Sequence, residues 1–252
     1  MRKYLLLLLL MSSVSAFAFK PQGKFSFIPR LGLNLSSLSD MSIYMTDNTE
    51  IKPRKRADFM VGLESEYSAY AKGRIGLGVS LGVFYSRQGT HYPDYADIIP
   101  VEEGKPTKGD GWDAHNIKLD YINVPLTLNF YINQFISVRT GFQCGFSLGG
   151  KWNYDITPIT VSKEGKKDYG ETAHHSDDIK DKLRTVVMSI PLGVGFEYRN
   201  VLFDIRYNFP LSRFGKDRSV QMIDPITGET HSPTISKTGK NHVFTFSVGY
   251  RF

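Results

Sequence analysis

The chain has 252 residues, a formal net charge of +6 at pH 7 and a single cysteine. One cysteine excludes an intramolecular disulfide and a cysteine-based zinc site, and the mild positive charge does not by itself require a nucleic-acid partner. Many Gly, Tyr and Phe residues with a modest mean hydropathy favour alternating strands. No window reaches the roughly 18 apolar residues of a transmembrane helix, so a membrane location requires a closed β-barrel.

The N-terminus has the layout of a secretory signal. Arg2 and Lys3 form a positive region, a run of leucines follows, and Ala16-Phe17-Ala18 matches the small-x-small cleavage pattern. We therefore expect residues 1–18 to be a signal peptide and residues 19–252 to be one barrel domain. Loss of Arg2 and Lys3 lowers the formal charge from +6 to +4.

Eight stretches alternate between large apolar residues and small or polar ones, as barrel strands do when one face meets lipid. They are expected at about 25–35, 59–71, 75–86, 116–131, 135–149, 182–199, 201–214 and 241–252. Pro29, in the first stretch, lacks a backbone donor and predicts a bulge or a local weak point.

The connections between these stretches alternate between long and short. Structureless loops on the order of 20–30 residues are uncommon in a compact soluble domain, whereas long outer loops and short periplasmic turns are typical of outer-membrane barrels. Short turns are expected at 72–74, at 133–134 and at Asn200. Glu164-Gly165 and the stretch Asp224-Pro225-Ile226-Thr227-Gly228 have turn chemistry. A hairpin there would either protrude or add a strand pair, which would give ten strands.

The last strand carries a distinctive apolar face. Phe246, Val248, Tyr250 and Phe252 fall on one side of it. This terminal aromatic face resembles the signal by which barrel-assembly machinery recognises its clients. We therefore treat these four residues as a candidate assembly signal.

The inward faces of the predicted strands carry balanced charge. The inward cations are Arg30, Arg139, Arg206 and Arg251, and the inward anions are Glu64, Glu66, Glu197 and Asp204. Eight strands leave an interior that side chains fill, and charges in it persist when they are paired. This balance favours a salt-bridged plug over an open pore, with a gated or narrow ion pathway as the alternative. Nearby glycines are expected to make room for the arginine heads: Gly76, Gly78, Gly82, Gly193 and Gly195.

No constellation in the sequence strongly indicates catalysis. His174-His175-Ser176-Asp177-Asp178 has metal-ligand residue types, but adjacent ligands on a mobile loop make a poor preformed site. His242 and Ser247 are five residues apart, which puts them on opposite faces of a strand, and no nucleophile elbow is present. We expect no metal, no cofactor and no catalytic residue, with a lipid-modifying enzyme as the alternative.

The densest run of positive charge is Lys52-Pro53-Arg54-Lys55-Arg56, in the first predicted outer loop. It is either a solvated loop or a contact for lipopolysaccharide phosphates through charge-assisted hydrogen bonds. Nucleic acid is not an expected partner of an exported barrel.

Four segments resemble the PorT-like outer-membrane β-barrel family of Bacteroidetes. They are Leu31-Gly32-Leu33-Asn34-Leu35-Ser36, Tyr85-Ser86-Arg87-Gln88-Gly89-Thr90, Asp120-Tyr121-Ile122-Asn123-Val124-Pro125-Leu126 and Gly249-Tyr250-Arg251-Phe252. The resemblance implies a small barrel, similar to OmpX and OmpA, and an association with protein secretion through the type IX system. It carries over no catalytic residue, because the matching motifs are structural.

The prediction is therefore all-β: an eight-stranded antiparallel up-and-down transmembrane β-barrel with long extracellular loops, in a Gram-negative outer membrane. The predicted role is non-enzymatic, structural or interaction-based, with a secretion accessory as its sharper form. The expected partners are outer-membrane lipid and lipopolysaccharide, the barrel-assembly machinery and secretion-system components.

Overall fold

Eight long antiparallel strands form a closed ring. The computed structural model describes residues 22–72, 75–99, 107–162, 165–216 and 239–252, together with four two-residue strands between 218 and 235. The ring strands are β1 (Phe25–Leu38), β2 (Arg54–Lys72), β3 (Ile75–His91), β4 (Thr107–Tyr131), β5 (Ile136–Val161), β6 (Val186–Tyr198), β7 (Val201–Pro210) and β8 (Asn241–Tyr250). Each pairs with its neighbour in sequence, and β8 returns to β1. The predicted eight-stranded antiparallel fold is confirmed, and the ten-stranded alternative is wrong.

The wall follows the predicted alternation, with apolar side chains outside and small or polar ones inside. In β8 the exposed side chains Phe244, Phe246 and Val248 alternate with buried Thr245 and Ser247. Across the closing seam, Leu33 of β1 lies opposite Phe246, so the apolar exterior continues around the ring. Closure pairs the backbone polar groups of every ring strand, which a bilayer requires.

The bulge predicted at Pro29 is wrong. The register between β1 and β2 runs without a shift through the Pro29–Leu63 pair. On the β8 side, Phe27 and Phe252 exchange two backbone hydrogen bonds just before Pro29. The sheet therefore lacks one backbone N–H donor at Pro29. The strands keep their register because the backbone hydrogen bonds on either side of the proline are formed.

Two ring strands are far longer than a bilayer requires. Strands β4 and β5 have 25 and 26 residues, whereas a tilted strand crosses a bilayer in about 9–11 residues. Together with the end of β3 they continue as a sheet on the side of the ring opposite the start of β1 and the end of β8. We call this part the extracellular sheet. It corrects the prediction of loops at 89–115 and 150–181.

Further short strands lie on the same side of the ring as the extracellular sheet. Tyr95–Ile99 pairs with β4, while Lys167–Tyr169 and Ala173–Asp178 pair with β5. The remaining pairs are Ile43–Tyr44 with Glu50–Ile51, Arg218–Ser219 with Thr234–Ile235, and Met222–Ile223 with Thr230–His231.

Strands β6 and β7 are shorter than predicted at their outer ends. A 3-10 turn at Lys180–Lys182 delays β6 to Val186, and β7 stops at Pro210, which cannot donate to the ladder. Within the described residues, no helix is long and apolar enough to cross a membrane.

Some predicted features lie outside the described residues. They are the signal segment 1–18, positions 73–74 of the first short turn, Glu164, and the turn from Asp224 to Gly228. Gly165 is described, with φ +79°, in the connection from β5 to Lys167–Tyr169.

Candidate functional site

The interior of the barrel is filled in three layers. A charged layer lies nearest the short turns, a layer of uncharged amides follows, and an apolar plug closes the extracellular end. The eight predicted inward charges all belong to the first layer, where the structure divides them into two clusters.

The first cluster is centred on Glu64, which is 2% exposed. Arg30 Nη2 donates to Glu64 Oε1 at 3.2 Å, and Arg139 Nη1 donates to the same oxygen at 3.0 Å. Arg206 Nη2 lies 4.0 Å from Glu64 Oε2 and 3.2 Å from Asp204 Oδ1. Arg139 Nε also lies 3.5 Å from Asp204 Oδ2. Four strands, β1, β2, β5 and β7, therefore meet through three arginines and two carboxylates.

The second cluster is centred on Arg251, the penultimate residue. Its Nε donates to Glu197 Oε1 at 2.8 Å, and its Nη1 donates to Glu66 Oε1 at 3.2 Å. Tyr131 Oη donates to Glu66 Oε1 at 2.6 Å, and Asn129 Nδ2 donates to Glu66 Oε2 at 2.8 Å. With one arginine and two carboxylates, this cluster offsets the excess positive charge of the first.

Directional bonding is incomplete in the Glu64 cluster. Both carboxylate oxygens of Asp204 and two nitrogens of Arg30 are buried without hydrogen-bond geometry, although the ion-pair distances are short. The cluster is therefore held by charge proximity more than by aligned hydrogen bonds.

The glycines on the inner wall serve different neighbours. A Cβ at Gly195 would lie 2.7 Å from Ser137 Oγ and 3.3 Å from Arg139 Nε, so this glycine makes room for an arginine head and for a serine hydroxyl. A Cβ at Gly78 would instead meet the Glu66 carboxylate, and one at Gly82 would meet the Phe84 ring. The expectation that every one of these glycines accommodates an arginine is wrong, since buried rings and carboxylates also need the space.

Above the charges lies a chamber lined by amides. The chamber has a volume of about 30 Å³, which suits two or three water molecules. Its carboxamides are Gln88, Asn123, Gln143, Asn208 and Asn241. Asn208 Oδ1 is buried without a hydrogen-bond partner. The chamber is thus small, uncharged and able to hydrogen-bond.

An apolar plug closes the chamber from the extracellular side. Its buried members are Leu38, Tyr92, Ile117, Leu119, Tyr121, Ile179, Leu183 and Phe214. Part of the first outer connection packs on it through Met41, Ile43 and Ile51, and Tyr92 Oη donates to the Met41 carbonyl at 2.7 Å. The plug blocks a straight aqueous path along the axis.

Sequence reasoning missed an aromatic site on the inner face of the extracellular sheet. Ala114 has φ +50° at a bulge in β4, between Asp113 and Asn116, and bulges re-aim side chains. Here the bulge places His115, which is 2% exposed, against five rings. The ring centroids of Tyr92, Tyr95, Trp112, Trp152 and Tyr154 lie 4.6–6.1 Å from that of His115. Both tryptophans of the chain are in this set, and that coincidence was the available signal.

The hydrogen bond from Trp152 fixes the form of His115. Trp152 Nε1 donates to His115 Nε2 at 2.6 Å. Because indole is only a donor, the neutral imidazole carries its proton on Nδ1. Burial lowers the pKa of His115 to about 4, and Nδ1 has no hydrogen-bond partner.

The histidine run of the sequence does not converge on one site. His174 Nδ1 lies 2.8 Å from Asp155 Oδ1, whereas the next residue, His175, stacks on Tyr154 with ring centroids 5.0 Å apart. The two histidines therefore lie on opposite faces of their strand. Across the described residues no group of three or more His, Cys, Asp or Glu side chains is arranged to hold a metal ion.

The serine–histidine pair is also separated. Ser247 is buried on the inner face, while His242 Nδ1 lies 2.6 Å from Tyr207 Oη. A base that is engaged elsewhere and a serine on the other face do not form a nucleophile pair.

A row of cations lies on the outer surface, just above the apolar wall. Lys55 Nζ lies 5.6 Å from the centroid of the Phe244 ring, and Arg87 Nε lies 2.8 Å from Asp120 Oδ1. Lys118 of β4 is opposite Lys151 of β5 in the strand register. The predicted basic run contributes Lys55 to this row, while Lys52 pairs with Glu50 and Arg56 pairs with Asp58.

Comparison with known proteins agrees with this architecture. The model of a family described as outer membrane protein beta-barrel domain matches residues 17–214. A Pasteurella multocida (strain Pm70) protein, named "Uncharacterized protein PM1543", is 25% identical over 264 residues, which cover 100% of this chain and 98% of the relative.

Matches to solved structures have low identities and low TM-scores. Ail, the attachment invasion locus protein of Yersinia pestis, is 15% identical with a TM-score of 0.38, over 92% of this chain and 100% of Ail. Neisserial surface protein A is 12% identical with a TM-score of 0.35, over 90% and 97% of the two chains. The outer membrane protease OmpT from Escherichia coli is 13% identical with a TM-score of 0.33, over 95% and 100%.

Replacement of Glu64 tests the charged layer. In Glu64→Gln, three arginines lose their shared carboxylate, and we expect a loss of about 3–5 kcal/mol in unfolding free energy. Urea unfolding of the detergent-refolded protein measures it. Glu171→Gln, at an exposed position, should change stability by less than about 0.5 kcal/mol. Equal effects of the two variants would contradict a central role for Glu64.

Acid should loosen the aromatic site. The pKa of His115 is about 4 in the folded protein and about 6.5 when unfolded. Stability from the neutral imidazole is therefore complete above about pH 6.5 and is lost as the pH falls towards 4. Tryptophan emission should shift to the red over this range. His115→Phe should abolish the shift and His174→Gln should keep it; a shift that persists in His115→Phe would refute this origin.

Proposed function

The chain belongs to the outer membrane protein beta-barrel domain family, and from this membership we propose a non-enzymatic interaction barrel whose working surface is the extracellular sheet. The observation that carries the proposal is the filled interior. Charged, amide and apolar layers follow one another from Arg251 to Leu119. Because the interior is filled, we infer that the protein acts by binding a partner at the exposed sheet.

The interior argues against the alternative of a narrow channel. The carboxylate of Glu64 is shared by three arginines, so an ion that entered would have to displace an existing partner. Burying a charge away from its partners costs several kcal/mol. The apolar plug adds a second barrier, because it offers few polar groups to a hydrated ion.

The arrangement also gives little support to a lipid-modifying enzyme. His242 is engaged with Tyr207, and Ser247 is enclosed on the inner face. Unchanged lipid A and phospholipids in a deletion strain would agree with the non-enzymatic role, and a missing lipid modification would contradict it.

Lipopolysaccharide is the partner we propose for the outer cation row of Lys55, Arg87, Lys118 and Lys151. These side chains lie at the level where the apolar wall ends, which is where lipid phosphates accumulate. Lysine and arginine form strong charge-assisted bonds with phosphate. The variant Lys118→Gln/Lys151→Gln should retain less lipopolysaccharide after purification than the control Lys166→Gln/Lys167→Gln. Equal retention would count against this contact.

Two further proposals concern export. We propose that residues 1–18 direct secretion, with cleavage after Ala18, and that Phe246, Val248, Tyr250 and Phe252 serve as the signal for the assembly machinery. A role as an accessory to type IX secretion rests on the PorT-like resemblance alone. A deletion strain with unaltered surface and secreted proteomes would remove that role.

Planar-bilayer recording tests the proposed function directly. The refolded protein should show no steady conductance, because the Glu64 cluster and the plug both close the axis. The variant Glu64→Ala/Arg139→Ala, with the plug intact, should remain closed as well. A steady current from the unmodified protein would overturn the interaction role in favour of a channel.

A further inference from the structure

We propose that the inner face of the extracellular sheet binds a basic peptide segment, one with lysine or arginine side chains about six residues apart. This inference rests on the interaction role proposed above and names its ligand class. The site consists of a row of aromatic rings that crosses the strands, with carboxylates on both sides of the row.

The aromatic row crosses four neighbouring strands. It is formed by Tyr95, Trp112, Tyr154 and His175. The rings of Tyr95 and Trp112 are stacked with centroids 6.0 Å apart, Trp112 lies 5.4 Å from Tyr154, and Tyr154 lies 5.0 Å from His175. His175 is exposed and the other three rings are half-buried, so the row is accessible from above. It lies on the same face as His115.

Carboxylates lie beyond the row in both directions along the strands. At one end Asp97 is directly opposite Asp110 in the register, an arrangement of like charges that destabilises a sheet. Thr46 partly relieves it, since its backbone nitrogen and its hydroxyl donate to Asp97 at 3.1 and 2.9 Å. Asp110 remains exposed, and an arriving cation would relieve the repulsion further.

At the other end the carboxylate is Asp177. Tyr154 Oη donates to Asp177 Oδ2 at 3.2 Å, which places this exposed residue on the same face as the rings. Of the described residues on this face, Lys108 is a cation, but it is outnumbered by Asp97, Asp110 and Asp177. The surface is therefore acidic in a chain whose net charge is positive.

The chemistry of the row selects a cationic partner. Trp and Tyr rings attract ammonium and guanidinium groups through the negative face of the ring, and carboxylates add ion pairs. The His115 Nδ1 proton beneath the row has no acceptor, and a peptide carbonyl is one group that would supply it. An anionic or purely apolar partner would not use the carboxylates.

The spacing sets the length of the segment. Asp110 is opposite Pro158 of β5, and Asp177 is opposite Trp152 of the same strand. These two positions are six residues apart, on the order of 20 Å at about 3.3 Å per residue. An extended peptide of similar length can place one cation at each end and its backbone over the rings.

Intrinsic fluorescence offers a local measurement. Both tryptophans, Trp112 and Trp152, lie at this site. Titration of the refolded protein with the peptide Lys-Gly-Ser-Gly-Ser-Gly-Lys should change the emission saturably. The matched peptide Glu-Gly-Ser-Gly-Ser-Gly-Glu should not change it. Added salt should weaken the response, because exposed ion pairs are screened.

Charge removal on the protein side completes the test. Asp110→Asn/Asp177→Asn should weaken peptide binding about tenfold, whereas the control Glu171→Gln/Asp181→Asn removes two exposed acids away from the row and should bind normally.

Equal binding by both variants, a response to the acidic peptide, or a response only to a neutral oligosaccharide such as chitotriose would each overturn the inference. Failure here with a non-conducting barrel rejects only the ligand, while a steady conductance rejects the interaction role itself.

Discussion

The electrical neutrality of a narrow interior is the constraint on which the rest of this barrel depends. Eight strands leave space for side chains but little for bulk water, so each inward charge needs a partner within the wall. Glu64 meets this need for three arginines at once, and Arg251 meets it for two carboxylates. The filled interior in turn leaves the extracellular sheet as the surface that we propose for recognition.

The eight-stranded fold could be predicted from the sequence because every strand of the membrane wall has the same alternation of apolar and polar residues. A strand with lipid on one side and a crowded lumen on the other must alternate, and β8 shows this alternation from Val243 to Gly249. The inward charges were identified for the same reason, since Arg139 and Glu64 occupy alternate positions within apolar strands. Which charges would meet was not predictable, because residues such as Glu64 and Arg139 lie 75 positions apart and contact each other across the lumen.

The extracellular sheet was not anticipated because the rule changes outside the membrane. There both faces of a strand meet water or protein, so apolar and polar residues no longer alternate regularly. Stretches rich in Asp, Gly and Pro are then predicted to be loops. The bulge at Ala114 also shifts the facing of every residue that precedes it in β4. The aromatic row therefore combines residues whose common face no fixed period could reveal.

The position of Arg251 has a consequence for biogenesis. The residue lies 185 positions after Glu66 and 54 after Glu197, yet it is hydrogen-bonded to both. A nascent barrel that lacks its last strand therefore holds two acidic side chains without their arginine. Contacts between positions so distant in sequence form only after a large loop-closure cost has been met, so the charges of the lumen balance only once β8 has closed the ring.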